Sequence, residues 1–80
     1  MKIPRDCNGN ELVRSLRRLG YEVKRQTGSH IQLTTLREGE NHVTVPNHRP
    51  LKVGLLHRLL KEIASHHKTS VEELLKELEL

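Results

Sequence analysis

Histidine supplies most of the acid–base chemistry open to this sequence, and two of its six histidines stand where a proton can usefully be moved. His30 closes the tripeptide Gly28-Ser29-His30, between two segments of alternating residue type. His48 follows in Val45-Pro46-Asn47-His48, a loop bounded by Pro46 and Pro50. An unperturbed imidazole titrates near ~6.5, so either residue can give or take a proton at neutral pH. Cleavage of an RNA phosphodiester without a metal needs two such transfers. A base takes the ribose 2′-OH proton, and an acid protonates the leaving 5′-oxygen; one positioned group contributes about 10²–10⁴ in rate.

Phosphate contacts are on offer nearby. Lys24 and Arg25 precede the turn, and the Gly28 backbone and Ser29 hydroxyl lie within it. Lys52 opens a later helix, where free N–H groups and the positive dipole end also face out. Each of these has a plainer reading as a surface histidine, a turn glycine or a solvated lysine, and His48 can equally hydrogen-bond its own loop. His57, His66 and His67 fall on or at the end of a helix, and His66-His67 lacks a third ligand at metal-site spacing. No metal site and no cofactor is expected.

The positioning elements follow from local pattern. Asn8 with Glu11 three residues on resembles a capping box, and Leu12, Val13, Leu16 and Leu19 keep helical spacing up to Gly20, a natural C′ residue. Period two then takes over. Tyr21, Val23 and Arg25 alternate with Glu22, Lys24 and Gln26; Ile31, Leu33 and Thr35 alternate with His30, Gln32 and Thr34; Val43 and Val45 alternate with His42, Thr44 and Pro46. With turns at Thr27-Gly28 and Glu38–Asn41, this predicts a three-stranded antiparallel meander with one apolar and one polar face. His30 falls on the polar face, joined there by Lys24 and by His42 or Thr44. Lys52 to His66 reads as a second helix, with Leu56, Leu59, Leu60 and Ile63 on one stripe and Gly54 in its first turn. Ser70 with Glu73 caps a short last helix carrying Val71, Leu74, Leu75 and Leu78. The predicted class is α+β: a two-layer α-β-β-β-α domain with a short extra C-terminal helix. Residues 1–80 read as one domain, with 1–7 an N-terminal arm and 69–80 an acidic helix. The same element order occurs in the double-stranded-RNA-binding domain, an analogy that leaves function open.

Composition narrows the classes. Eighty residues hold one small core. A single cysteine, Cys7, excludes an internal disulfide and a multi-cysteine zinc site, and fits a reducing cytoplasm. No apolar run approaches a membrane span, and no apolar stretch follows the basic N-terminus as in a signal peptide, so a soluble cytoplasmic protein without membrane contact is expected. The net charge of +4 is unevenly spread. Residues 1–68 hold 13 Lys and Arg against 6 Asp and Glu, whereas residues 69–80 hold 1 against 4. A basic body with one aromatic residue suits phosphate contact better than base stacking. P-loop, GxGxxG, HExxH and GxSxG motifs are all missing.

The ordered set of landmarks resembles one family. Glu11-Leu12, Leu16 with Leu19-Gly20-Tyr21, Arg25 before Gly28-Ser29-His30, Val43-Val45-Pro46 with His48, Leu51-Lys52 with Gly54, and Leu59-Leu60-Lys61 are similar in order and spacing to HicA toxins of HicA–HicB toxin–antitoxin pairs. The resemblance runs from about Asn10 to Leu78. It implies a double-stranded-RNA-binding-like fold, a metal-independent endoribonuclease acting on mRNA, and a catalytic role for His30. It also implies a HicB-type antitoxin that covers the site, with the free toxin monomeric. Three positions depart from the family pattern. Val53 and Leu55 flank Gly54 where Lys and a small hydroxyl residue are usual, and Ile31 follows His30 where His or an aromatic is common. The first two weaken phosphate binding at that helix start and leave His30 untouched. The alternatives are a non-catalytic module for structured RNA and a structural protein whose basic face meets an acidic partner.

Overall fold

A computed structural model describes residues 3–80. The chain forms α1 (Gly9–Leu16), a 3-10 turn (Arg17–Leu19), β1 (Glu22–Thr27), β2 (His30–Thr35), β3 (Asn41–Pro46), α2 (Val53–His66) and α3 (Val71–Leu78). The strands make one antiparallel sheet in the order β1-β2-β3. The class is therefore α+β with the expected α-β-β-β-α order and one further helix.

Local chemistry sets the boundaries. The Asn8 backbone N–H donates to Glu11 Oε1 at 3.2 Å, satisfying one of the donors the first turn leaves free. The helix tightens to 3-10 geometry over Arg17–Leu19 and stops at Gly20, whose φ of +82° is left-handed. At α3 the Glu73 backbone N–H donates to Ser70 Oγ at 3.1 Å. Lys52 is the N-cap of α2 and so lies just outside the helix.

One hydrophobic cluster joins every layer. Leu12 and Leu16 of α1, Leu33 of β2, Val45 of β3, Leu56, Leu60 and Ile63 of α2, and Leu74 and Leu78 of α3 are all essentially inaccessible. Each such side chain contributes about 1.5–3 kcal/mol by leaving water. Among the described residues, no helix is long and apolar enough to cross a membrane.

Strand β1 departs from the alternation its sequence shows. Val23 pairs with Leu33, but Arg25 pairs with Gln32, so a bulge at Lys24 shifts the register. Gln32 faces away from the helices, and the shift turns Arg25 to that same open face. The helices also leave β1 uncovered: all six of its residues are exposed, and Val23 is 42% accessible. Both α1 and α2 pack on β3, at the far side of the sheet.

Candidate active site

The Gly28–Ser29 turn is a two-residue hairpin loop. Gly28 has φ of +58° and Ser29 a negative φ, the pattern of a type II′ turn. A glycine is required at the first position because a Cβ would strain that backbone, although open space surrounds it. The turn delivers His30 as the first residue of β2, opposite Thr27 on one side and Pro46 on the other. Ile31 and Leu33 are buried, so His30, Gln32 and Thr34 face the open side. His30 is exposed, and its imidazole makes no hydrogen bond among the described residues.

The chain leaving β3 closes over the same end of the sheet. Asn47 N–H donates to the Ser29 carbonyl at 2.6 Å, and the His48 carbonyl accepts from Gly9 N–H at 2.9 Å. Gly9 is pressed against Pro46, where an added Cβ would collide with the Pro46 carbonyl oxygen. Leu51 N–H donates to the Cys7 carbonyl at 2.8 Å and ties the start of α2 to the same corner. This end therefore gathers Gly28, Ser29, His30, His48 and Lys52, with the exposed Arg49 beside them. His48 is exposed, and its imidazole also has no described hydrogen bond.

Charge separates the two ends of the sheet. Glu22 opens β1, and Glu38 and Glu40 lie in the β2–β3 connection, all at the end opposite His30. The ion pairs of the described residues also lie elsewhere: Arg18 with Glu79, Lys24 with Glu22, and Lys76 with Glu73; His42 hydrogen-bonds Glu40 at the far end as well. Arg25, Arg49 and Lys52 have no ion-pair partner among the described residues, and a phosphate would meet them unneutralised.

Lys24 and Arg25 sit somewhat apart from that corner. They line a shallow concavity of ≈ 660 Å³ on the open face with Gln32, Thr34, His42 and Thr44. His42 pairs across from Thr34, four residues beyond His30 along β2, so it is not a neighbour of His30. A second concavity lies on the other side of β1, lined by Arg17, Gly20, Tyr21, Glu22 and Val23. It holds no histidine.

Two features of this region have no local sequence signal. Arg49 at the His30 end was legible only as one more loop cation. The chain Thr34–His42–Glu40, with Thr34 Oγ1 to His42 Nδ1 at 2.8 Å and His42 Nε2 to Glu40 Oε2 at 2.7 Å, depends on strand register. No group of His, Cys, Asp and Glu suited to hold a metal ion occurs among the described residues.

A family model described as the HicA toxin of bacterial toxin–antitoxin systems matches residues 9–64. No curated protein and no solved structure matches the chain.

Proposed function

The chain belongs to the HicA toxin family, and from that premise we propose that it is an endoribonuclease that cuts mRNA through His30 without a metal ion. As a toxin of a toxin–antitoxin family it has an antitoxin partner. The observation that carries the catalytic reading is the placement of His30. It is an exposed imidazole on the open face with no hydrogen bond among the described residues, at the sheet end to which the backbone carrying His48, Arg49 and Lys52 is tied.

The chemistry needs two proton transfers. One imidazole takes the proton of the ribose 2′-OH as the 2′-oxygen attacks phosphorus. The P–O2′ bond forms and the P–O5′ bond breaks, and a protonated group hands its proton to the departing 5′-oxygen. The product is a 2′,3′-cyclic phosphate and a free 5′-hydroxyl. His30 performs one transfer, and His48 is the candidate for the other, since both leave the same sheet end. Ser29 and the Gly28 backbone approach the scissile phosphate, and Lys24, Arg25 and Lys52 hold flanking ones. Residues 1–80 act as one domain, monomeric when free, in the cytoplasm, with a HicB-type antitoxin covering the His30 end.

The test is purified protein with RNA in EDTA. Cleavage is expected to persist without metal and to fall by at least about 10²-fold in His30→Ala, the lower bound for losing a positioned acid or base. Cleavage by His30→Ala at the wild-type rate would falsify the assignment. Salt-sensitive binding with no cleavage at any pH would favour an RNA-binding module instead.

A further inference from the structure

The open face carries polar side chains that catalysis at His30 leaves unused. Gln32, Thr34, His42 and Thr44 surround the concavity that the bulge at Lys24 supplies with two cations. Lys24 Nζ is shared with Glu22 at 3.2 Å, whereas Arg25 has no ion-pair partner among the described residues.

With His42 neutral, the hydrogen-bond chain through this groove runs in one direction. A carboxylate only accepts, so His42 Nε2 carries the proton that faces Glu40 at 2.7 Å. In the neutral imidazole Nδ1 then accepts, and the Thr34 hydroxyl donates its one hydrogen to it at 2.8 Å. Thr34 Oγ1 is left with free lone pairs, held as an acceptor. The groove holds no Phe, Tyr or Trp for base stacking: Tyr21 is the chain's one such residue and is 1% exposed. Cations, hydroxyls and an amide match a sugar–phosphate backbone. A DNA strand would satisfy the cations equally well but would present no 2′-OH donor to Thr34.

We propose that this groove is a ribose–phosphate subsite for single-stranded RNA, in which Arg25 and Lys24 hold a phosphate and Thr34, oriented by His42 and Glu40, accepts a ribose 2′-OH. His30 and Thr34 share one face of β2, four residues or about 13 Å apart, so a strand passing His30 reaches the groove. The subsite makes the chain select RNA over DNA at a point away from the cut. It rests on the reading that the chain acts on RNA.

The experiment measures binding in the full-length His30→Ala chain, so that RNA stays intact. Fluorescence anisotropy compares oligouridine with oligodeoxyuridine, which differ only in the 2′-OH. The RNA is expected to bind more tightly, and Thr34→Val to reduce that preference by about two- to tenfold, the loss of one hydrogen bond. His42→Ala, at an exposed position, reduces the same preference by freeing the Thr34 hydroxyl, and it decides the matter if Thr34→Val does not fold. Arg25→Gln weakens both oligonucleotides alike and lowers the salt slope by about 0.7, the value for one phosphate on a single strand. An RNA preference that survives in folded Thr34→Val and His42→Ala overturns the subsite, as does equal binding of the two oligonucleotides by the parent. If these differences hold while the wild-type chain leaves RNA uncut, the subsite stands and the catalytic reading falls.

Discussion

Cys7 and Thr35 show how single buried residues at opposite ends of the sheet are constrained. Cys7 is 4% exposed between the N-terminal segment and the core. Burial pushes its thiol pKa up, and the charge of Glu11 adds to the shift. The thiolate is the reactive form, so Cys7 is expected to resist iodoacetamide in the native protein and to react readily in urea. Equal alkylation rates in both states would contradict this. Thr35 is the one buried polar residue of the described core, and its hydroxyl donates to the Leu19 carbonyl at 2.9 Å and accepts from Arg37 N–H at 3.1 Å. Thr35→Val leaves both backbone groups unpartnered and is expected to cost about 1–3 kcal/mol in urea unfolding. A midpoint unchanged from wild type would show that the two groups find other partners.

At the scale of elements, two glycines near the candidate site behave oppositely. Gly9 lets α1 approach β3 so closely that an alanine Cβ would strike the Pro46 carbonyl oxygen. The obstacle is backbone, and Gly9→Ala must push α1 off the strand that leads to His48, at about 1–3 kcal/mol. Gly54 lies inside α2 with nothing within 4 Å of its added Cβ. Gly54→Ala is expected to stabilise by about 0.4–1 kcal/mol, because the unfolded chain loses freedom. Thermal unfolding of the pair should move in opposite directions, and a Gly9→Ala midpoint at or above that of wild type would refute the close approach at Gly9. Strand β1 is irregular at one point. Its bulge places Arg25 beside Lys24 on the open face, whereas unbroken alternation would have placed it toward the helices.

The whole molecule binds its ends together through α3 and a histidine cluster. The family match stops at residue 64, yet Leu74, Leu75 and Leu78 complete the core. Truncation after Lys68 removes three buried leucines, each contributing about 1.5–3 kcal/mol. The shortened chain is expected to lose its cooperative thermal transition, and a transition at the wild-type temperature would show that α3 is dispensable. At the end opposite His30, His67 Nε2 lies 3.3 Å from Tyr21 Oη, and Asn41 donates to the same oxygen at 2.6 Å. Burial lowers the His67 pKa below its ordinary 6.5, with His66 and Arg37 lowering it further against the opposing charges of Glu38 and Glu77. The unfolded chain then binds a proton more readily than the folded one. The stability this neutral imidazole contributes is present above about pH 6.5 and is lost as pH falls through the window beneath it. His67→Gln should flatten the dependence of Tm on pH between about 7.5 and 5.5; a slope equal to wild type would place the titration elsewhere.

Much of the site was readable because its determinants are local. The glycine turn, the alternation of Ile31 and Leu33 with His30 and Gln32, and the caps at Asn8 and Ser70 each depend on a few neighbouring residues. Those patterns put His30 on the open face, and the ordered landmarks identified the family. Tertiary structure decided what depends on distant partners. Pairing with β2 placed the bulge at Lys24 and turned Arg25 outward, since both arrangements of β1 fit the same alternating residues. Helix packing on β3 left β1 bare, and closure of the chain beyond Pro46 brought His48 and Lys52 to the Ser29 end. The register of β3 on β2 joined Thr34 to His42, two residues eight positions apart that no local pattern connects.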